Sequence, residues 1–349
     1  MIKNLEIDSF IKLDNTIPVV DVRTPAEFTQ GHIVDAYNIP LFSNEERVRV
    51  GTTYKQQGRE PAILLGFDLT GSKWSGFIKQ ALEIAPERKI ALHCWRGGMR
   101  SGAMAWALNL YGFEVFLLVG GYKKYRRWVQ DQFDEKYNLL VLGGMTGSGK
   151  TLILHQLREF GQQVIDLEGL AQHHGSSYGS MDRMIQPSQE QFENELATQL
   201  YKANNDKPVW IEDESLTIGH RSIPNGLWHQ MREAKLLNIK IPLTHRVDFL
   251  VQEYGQLNKD FLIECTQRIW KRLGPEQTKN AISAINEGRI ADFISLVLVY
   301  YDKTYRIGLS KRLAESIYEL DGNDTNAIKN AALILEHSHK MAEALPHIN

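Results

Sequence analysis

Short apolar runs alternate with helical patterns through the first third of the chain. Apolar runs at 17–22, 90–92 and 115–118 are typical of buried strands. Between them, 25–28 follows a Thr-Pro helix start with a glutamate close behind, and 102–110 has a helical pattern. Alternation of this kind predicts an α/β domain with a parallel sheet, whose ligands lie beyond the carboxyl ends of the strands.

A second α/β pattern begins near residue 139 and gives way to helices after residue 224. It consists of an apolar strand at 139–142, a helix at 152–160, two β-rich runs that end in acids at 164–168 and 209–215, one last strand at 240–243, and amphipathic helices at 261–273 and 280–301. We therefore predict two domains, residues 1–130 and residues 131–349, the second with a mostly helical C-terminal part.

The composition excludes some classes of protein but does not identify a function. The 349 residues carry 40 Lys and Arg against 42 Asp and Glu, a formal net charge of -2, which excludes a globally basic nucleic-acid binder but allows local basic patches. The only cysteines are Cys94 and Cys265, so no disulfide framework is expected, and a reducing, cytoplasmic location is indicated. The N-terminus lacks a signal-peptide core, and the late apolar run 294–301 is too short to span a bilayer.

The stretch His93 to Ser101, HCWRGGMRS, carries the first candidate chemistry. Cys94 follows an apolar strand and opens a glycine-rich loop that closes where a helix begins. Backbone N–H groups in such a loop favour negative charge, lower a thiol's pKa and offer donors to an oxyanion. We predict Cys94, Arg96 and Arg100 as catalytic residues, and Gly97, Gly98 and Ser101 as the anion loop. The alternative is a buried structural cysteine, which we assign to Cys265 but not to Cys94.

The first domain resembles the rhodanese family of sulfur-transfer modules. The pieces that carry this resemblance are DVRTPAEF, GHI, AYNIP, the cysteine loop and a GGY turn followed by Trp128, and they cover about residues 5 to 130. The resemblance implies that Cys94 carries a persulfide whose terminal sulfur is held by the loop amides. Asp21 and Arg23 are expected to have a structural role at the end of the first strand, and whether they also have a further role stays open.

One departure from the rhodanese pattern concerns the loop length. Arg100 follows Cys94 by six residues, whereas many rhodanese loops place the arginine after five. The longer loop is also the signature of cysteine phosphatases, which cradle a tetrahedral phosphate. A phosphatase therefore competes as an interpretation, although the loop has no general acid nearby in sequence. The length instead suggests a phosphate-sized reagent that carries a transferable chalcogen.

Residues 143–151, GGMTGSGKT, form a complete P-loop pattern between an apolar strand and a helix. The predicted phosphate-binding residues are Gly144, Gly147, Ser148, Gly149, Lys150 and Thr151. The glycines let backbone N–H groups wrap a phosphate, Lys150 neutralises it, and Thr151 can reach a Mg²⁺ ion.

Acids at the ends of neighbouring strands are candidates for the metal or ligand site. For the metal we favour Asp213, with Asp166 as a further candidate for metal or ligand, and leave Glu212 and Glu214 as loop ligands that share one face if their strand continues. His173 and His174 lack a third ligand at useful spacing, so we interpret them as surface or capping residues. No metal site is certain.

A basic and aromatic stretch lies between the two patterns. Lys123, Lys124, Arg126 and Arg127 alternate with three aromatics, the composition of a nucleic-acid patch. A solvated linker helix explains it equally well. The polar face of 261–273, with Arg268, Lys271 and Arg272, is a weaker candidate of the same kind.

Taken together, the two loops resemble the tRNA 2-selenouridine synthase family. The resemblance rests on WRGGMRS, GGMTGSGKT, DLEGLA, GSSYGS and WIEDES in this order, over nearly the whole chain. It implies replacement of sulfur by selenium at C2 of the tRNA wobble uridine, with selenophosphate as donor and an S-geranylated intermediate made from geranyl diphosphate. It implies no tightly bound cofactor, with Mg²⁺ as an option and no membrane partner.

Several questions stay open at this stage. The P-loop could bind geranyl diphosphate or a nucleotide, and we favour the diphosphate because the implied reaction calls for no ATP. The alternative function is a thiosulfate sulfurtransferase or cysteine phosphatase fused to an ATP-using, kinase-like domain. Which tRNAs are modified and the oligomeric state are not encoded in any pattern that we recognise.

Overall fold

The computed structural model describes residues 1–180 and 184–343. Within these ranges the chain forms two compact units. The first consists of residues 1–132 together with residues 193–198, and the second of residues 133–192 and the described residues from 199 onward.

Five strands and seven helices build the first unit. The strands are β1 (Ile2–Leu5), β2 (Val19–Asp21), β3 (Tyr37–Asn38), β4 (Lys89–His93) and β5 (Glu114–Leu118). The helices are α1 (Ile7–Ile11), α2 (Pro25–Gln30), α3 (Asn44–Gln57), α4 (Arg59–Thr70), α5 (Trp74–Ile84), α6 (Met99–Leu110) and α7 (Gly121–Gln132), with a 3₁₀ turn at Gly71–Lys73.

The sheet of the first unit is parallel, in the order β1-β5-β4-β2-β3. Its middle strand β4 pairs Ala91 with Val19 on one side and with Phe116 on the other. Ile90, Ala91 and Leu92 are fully buried, because helices cover both faces of a sheet of this kind. The strand that leads into the cysteine loop is therefore fixed in the middle of the core.

The second unit adds seven strands and ten helices among its described residues. The strands are β6 (Leu139–Gly144), β7 (Gln163–Ile165), β8 (Val209–Glu212), β9 (Thr217–Ile218), β10 (Arg221–Ser222), β11 (Lys235–Lys240) and β12 (Ile317–Asp321). The helices are α8 (Lys150–Glu159), α9 (Leu167–Ala171), α10 (Gln189–Lys202), α11 (Asn225–Glu233), α12 (Leu243–Tyr254), α13 (Lys259–Arg268), α14 (Trp270–Leu273), α15 (Pro275–Asn286), α16 (Ile290–Leu309) and α17 (Ala327–Glu343), with a 3₁₀ turn at Ala314–Ser316.

A second parallel sheet, in the order β12-β11-β6-β8-β7, organises this unit. The P-loop strand β6 lies in its middle, where Leu142 pairs with Leu237 of β11 and with Glu212 of β8. Helices α12 to α16 pack around their own apolar cluster, which includes Cys265, Phe293 and Val297. Cys265 is fully buried in that cluster.

These features confirm the predicted fold class: a rhodanese-like parallel-sheet domain, a P-loop α/β domain and a mostly helical C-terminal part. In the described ranges, no helix is both long enough and apolar enough to cross a membrane.

Several predicted element boundaries were wrong. The last strand predicted at 240–243 is β11, which ends at Lys240, because Pro242 then caps the start of α12. The helix predicted at 261–273 consists of α13 and α14, which break at Ile269, and the helix predicted at 280–301 contains parts of α15 and α16, with Gly288 between them. The strand predicted at 209–215 ends at Glu212. The edge strand β12 was not predicted at all.

Candidate active sites: a cysteine loop and a phosphate-binding loop

Cys94 lies at the carboxyl end of β4, directly before the loop that leads into α6. The loop is tied to the start of α7, since the Tyr122 N–H donates to the Cys94 carbonyl (2.8 Å) and the Lys123 N–H donates to the Trp95 carbonyl (3.0 Å). Gly97 has φ +63°, and a Cβ there would lie 2.6 Å from the Leu118 carbonyl oxygen. A glycine is therefore required at the tightest point of the loop.

The thiol of Cys94 is surrounded by donors. Its Sγ accepts a hydrogen bond from the Gly98 N–H (3.4 Å) and one from the Ser101 hydroxyl (3.2 Å). Burial raises the pKa of this thiol, but the Ser101 hydroxyl and the N–H groups of Ser101, Arg96 and Gly98 outweigh it, so the pKa of Cys94 is lowered. The predicted anion-loop residues Gly98 and Ser101 thus meet at the sulfur, and the arrangement favours the nucleophilic thiolate.

The two loop arginines differ in their surroundings. Arg100 turns to Glu27 and makes two hydrogen bonds to its carboxylate, at 2.7 and 3.2 Å. The same glutamate closes the capping box of α2 with Thr24. Arg96 is exposed. In this structure, therefore, Arg100 braces the loop against α2, whereas Arg96 is open to an incoming anion.

A buried ionic cluster supports the strand ends beside the loop. Arg23 and Asp21 form a bidentate pair, with Nη2 2.6 Å from Oδ2, and Arg23 also donates to the Gly31 carbonyl. The Arg23 guanidinium stacks 3.7 Å from the centre of the Tyr122 ring. Burial lowers the pKa of the neighbouring His93, so this histidine is neutral near pH 7. Asp21 and Arg23 thus have the structural role expected from their position.

The P-loop connects β6 to α8 and has the shape of a phosphate cradle. Gly147 (φ +82°) and Gly149 (φ +74°) adopt left-handed conformations. Lys150 Nζ donates to the Gly144 carbonyl (2.9 Å), so the lysine is folded back over the loop that it closes. The Ser148 hydroxyl is buried in the loop without a hydrogen-bond partner in the described parts of the chain.

Three glutamates gather beside the P-loop helix, two of which, Glu212 and Glu214, the sequence analysis left as loop ligands. Thr151 donates its hydroxyl hydrogen to Glu168 Oε2 (2.9 Å), and the Glu168 N–H donates to Glu212 Oε1 (2.8 Å). Glu214 completes the group: a Cβ on Gly175 would lie 2.7 Å from both Glu168 Oε1 and Glu214 Oε2. The usable signal was the repeated acid after each buried strand, but the sequence does not show which acid turns toward the loop.

Crowding of these carboxyls changes their proton affinity. Burial, and then the charges of Asp166 and Glu168, raise the pKa of Glu212 well above its ordinary value. Burial and the charge of Glu168 raise the pKa of Glu214 to about 8, against a lowering effect of Lys150. The group therefore holds at least one proton near neutral pH.

The two acids predicted as metal or ligand residues are engaged elsewhere. Asp166 caps α9 by accepting from the Gly169 N–H (2.7 Å), and its other oxygen lies 2.8 Å from His155 Nε2. Asp213 Oδ1 lies 2.7 Å from Arg312 Nη2 and 3.4 Å from Arg232 Nη1. Neither carboxylate therefore bonds to Thr151.

The P-loop, Glu168 and Glu214 line one large cavity within the second unit, with a volume of about 1040 Å³. Its lining also includes cations, among them Arg268 and Arg272, and aromatic side chains such as Tyr300 and Trp228. His174 is exposed in the same cavity, with Nδ1 3.7 Å from Glu168 Oε2. No group of three metal-ligating side chains occurs in residues 1–180 and 184–343.

The basic stretch between the sheets is the helix α7, not an open linker. Tyr122 and Tyr125 are almost fully buried and Trp128 is mostly buried, so the proposed stacking of these rings on bases is wrong. Arg126 is ion-paired with Glu193. Lys123, Lys124 and Arg127 are exposed. Their suggested contact with tRNA stays a prediction that depends on charge alone.

Comparison with known families and proteins covers nearly the whole chain. Residues 6–127 match a family model described as a rhodanese-like domain, and residues 137–333 match one described as the tRNA 2-selenouridine synthase AAA domain.

Individual proteins named tRNA 2-selenouridine synthase are also similar to this chain, two of them along most of their length. The tRNA 2-selenouridine synthase of Marinobacter nauticus is 35% identical over 89% of this chain and 93% of the relative, and that of Shewanella frigidimarina is 33% identical over 87% and 92%. The protein of that name from Nitrosomonas europaea is 42% identical over 68% of this chain, and the match spans 63% of that relative's length. A solved N-terminal domain from Clostridium difficile 630 shares 44% identity over 36% of this chain, with a TM-score of 0.35 that carries no weight here.

Proposed function

Because the chain belongs to the tRNA 2-selenouridine synthase family, we propose that it is a transferase that modifies tRNA, replacing the sulfur of a wobble 2-thiouridine by selenium. The observation that carries the proposal is the setting of Cys94, a buried thiol whose pKa is lowered by hydroxyl and backbone donors. A structural cysteine needs no such donors, whereas a nucleophile that must be a thiolate does.

The selenium step is assigned to the cysteine loop. The Cys94 thiolate attacks the selenium of selenophosphate, an S–Se bond forms, and the Se–P bond breaks with its electron pair on phosphorus, so that selenium is oxidised by two electrons and phosphorus leaves as phosphite. The terminal selenium then attacks C2 of the uridine, a C–Se bond forms, the C–S bond breaks, and the sulfur leaves as a geranyl thiolate. A thiol reductant returns the two electrons: one thiol cleaves the S–Se bond and forms a mixed disulfide with Cys94, and a second thiol releases the Cys94 thiolate. Because Arg100 is held by Glu27, the anion would be bound by the loop N–H groups and by the exposed Arg96.

The geranyl step is assigned to the P-loop. A loop whose N–H groups and lysine cradle two adjacent phosphates suits the diphosphate of geranyl diphosphate, and alkylation converts the thiouridine sulfur into a leaving group. The unpartnered Ser148 hydroxyl and the left-handed Gly147 and Gly149 support a bound anion at this position. The adjoining cavity is large enough for a nucleoside together with a ten-carbon chain, as its volume of about 1040 Å³ exceeds the range of roughly 300–1,000 Å³ typical of ligand pockets.

A Mg²⁺ ion at Asp166 or Asp213 does not fit the residues present. Asp166 caps a helix and bonds to His155, while Asp213 neutralises two arginines. We therefore route no step of the reaction through a metal.

The two steps can be tested separately with tRNA that contains 2-thiouridine. The tRNA is incubated with the full chain and with selenophosphate, geranyl diphosphate or both, and its nucleosides are measured by mass spectrometry. Cys94→Ser should abolish selenouridine and leave geranylation intact. Lys150→Ala should lose geranylation and pyrophosphate binding, whereas Lys202→Ala, which removes an exposed lysine at the end of α10, should not.

Other outcomes would overturn the assignment. Selenouridine made by Cys94→Ser would exclude the thiolate step. ATP hydrolysis coupled to tRNA modification would place a nucleotide, not geranyl diphosphate, in the P-loop. Turnover of thiosulfate and cyanide without tRNA, or of a simple phosphoester, would favour the sulfurtransferase or the phosphatase.

A further inference from the structure

Geranylation of a thiouridine releases a proton, and a group in the P-loop cavity must accept that proton. In the uncharged base, N3 carries a hydrogen next to the C2 thiocarbonyl. When the sulfur attacks C1 of geranyl diphosphate, an S–C bond forms, the C–O bond breaks, and the diphosphate leaves with the electron pair. N3 then becomes doubly bonded to C2 and loses its hydrogen as a proton. The step therefore needs a proton acceptor at the base.

We propose that Glu214 is the general base that takes the N3 proton during geranylation. The inference rests on the proposed function of the P-loop. It goes further by assigning a catalytic role to a cavity residue that the sequence analysis left only as a loop ligand. Glu214 lies two residues beyond β8, the strand beside β6, and its side chain lines the cavity together with Lys150 and Thr151.

The backbone at Gly175 passes close to the Glu214 carboxyl. A Cβ at residue 175 would lie 2.7 Å from Glu214 Oε2 and 2.7 Å from Glu168 Oε1, and the backbone there has φ +63°. Any larger residue would displace both carboxyls. The loop of residues 173–177 can therefore pass close to the two glutamates because it has a glycine at this position, and Glu214 lines the same cavity as the P-loop.

The neighbouring acids are each committed to other contacts. Glu168 accepts from the Thr151 hydroxyl, and Asp213 pairs with Arg312 and Arg232. Glu212 is only 1% exposed and accepts from the Glu168 backbone. The Glu214 carboxylate accepts a hydrogen bond from the Ser215 backbone N–H but forms no ion pair among the residues that the structure describes, and it is half-buried rather than sealed. Of this group it is the acid best placed to meet a substrate.

An independent feature indicates that a ligand binds at the same place. The Ser148 hydroxyl is 1% exposed, lies within the P-loop and has no partner in the described residues. A buried hydroxyl without a partner is costly, and a phosphate oxygen in the cradle would satisfy it. A diphosphate held there would bring the carbon to be transferred into the cavity that Glu214 lines.

The charges around Glu214 suit a base that works near neutral pH. Burial and Glu168 raise its pKa to about 8, Asp213 acts in the same direction, and Lys150 opposes them. The charge of Glu214 also acts on two other titratable groups, Glu212 and Tyr305, and raises the pKa of each. A base is most effective when its pKa lies near the working pH, because it is then both available and strong enough to take the proton.

The test compares Glu214→Gln with the full wild-type chain in geranylation of 2-thiouridine tRNA across pH. The wild-type rate should rise with pH and level off near pH 8, because the deprotonated carboxylate is the active form. Glu214→Gln should lose about 10²- to 10⁴-fold in kcat near pH 7. The rate of Glu214→Gln should keep rising above pH 8, because N3 of the thiouridine itself begins to lose its proton. Its binding of pyrophosphate should be unchanged. Glu159→Gln, at the far end of α8, is the matched control and should behave as wild type.

The outcomes separate the two levels of the proposal. If wild type geranylates and Glu214→Gln keeps the same rate and pH profile, the assignment of the base is overturned while the function of the P-loop stands. If Glu214→Gln loses rate uniformly at every pH, the residue has a structural role and the assignment is again overturned. If wild type forms no geranylated nucleoside, the proposed function fails and the base assignment fails with it.

Discussion

At the residue scale, the reactivity of Cys94 depends on a balance between burial and hydrogen bonding. The thiol is 3% exposed, and burial alone would raise its pKa. The Ser101 hydroxyl is the strongest of the groups that lower the pKa. A hydrogen bond to an ionised group contributes about 1.5–3 kcal/mol, and each 1.36 kcal/mol changes a pKa by roughly one unit.

Ser101→Ala should therefore raise the pKa of Cys94 by about one to two units. The thiolate fraction near pH 7 would fall, so alkylation of Cys94 by iodoacetamide, followed by mass spectrometry of its peptide, should shift its midpoint to higher pH. Selenation should slow at pH 7 and recover in alkaline buffer. Ser75→Ala, which removes an exposed hydroxyl from α5, serves as the control. An unshifted midpoint would mean that the backbone donors alone set the thiol's acidity.

At the element scale, the cysteine loop is shaped by its approach to the β5–α7 turn. A Cβ on Gly97 would lie 2.6 Å from the Leu118 carbonyl oxygen and 3.0 Å from the Gly120 nitrogen. Gly98, the next residue, has φ -110° and no atom within 4 Å of such a Cβ. A glycine is therefore required at residue 97, whereas residue 98 has room for a side chain.

Gly97→Ala should destabilise the chain by about 1–3 kcal/mol, the usual cost of a strained backbone, and Gly98→Ala by clearly less. Thermal unfolding of the two variants measures the difference. Because the geranyl step is assigned to the second unit, the geranylation rate of folded Gly97→Ala should match wild type while selenation is lost. Equal unfolding temperatures for both variants would contradict the close approach at Gly97.

The elements also show what a sequence can and cannot predict. The strand-loop-helix context of both loops was readable because a buried strand is an apolar run and a P-loop has fixed glycines. Gly288 is also a sign of a helix end, but the apolar pattern continues on both sides of it and predicts a single helix, where the structure has two. The strand Ile317–Asp321 was missed because it lies at the sheet edge and only Leu320 is buried. Its register depends on pairing with β11, a contact that no local pattern encodes.

For the site residues, the direction of each side chain was the feature that the sequence could not predict. Arg100 was predicted at the anion, yet it bonds to Glu27, which lies 73 residues earlier. Asp213 was favoured over its neighbours, but Arg312 and Arg232 occupy it, and Glu214 faces the cavity instead. In each case the decisive partner is distant in sequence, so spacing along one strand could not choose between adjacent charged residues.

At the scale of the whole molecule, the two reactive loops belong to different compact units, each with its own sheet and core. Under the proposed function, one uridine must be alkylated at the P-loop and then selenated at Cys94. The intermediate is a stable thioether on tRNA and not a species attached to the protein. The two steps therefore need not occur on the same chain.

We accordingly expect an equal mixture of Cys94→Ser and Lys150→Ala to make 2-selenouridine when both substrates are supplied. The first variant would geranylate the tRNA, and the second would use the released product. For the mixture and for wild type alike, the selenouridine formed in a fixed time should increase with total protein concentration, because a released intermediate must bind a chain again before it is selenated. Mass spectrometry of the nucleosides over time should also detect geranylated thiouridine before selenouridine. A mixture that geranylates tRNA but never selenates it, while Lys150→Ala alone selenates purified geranylated tRNA, would show that the intermediate is not released.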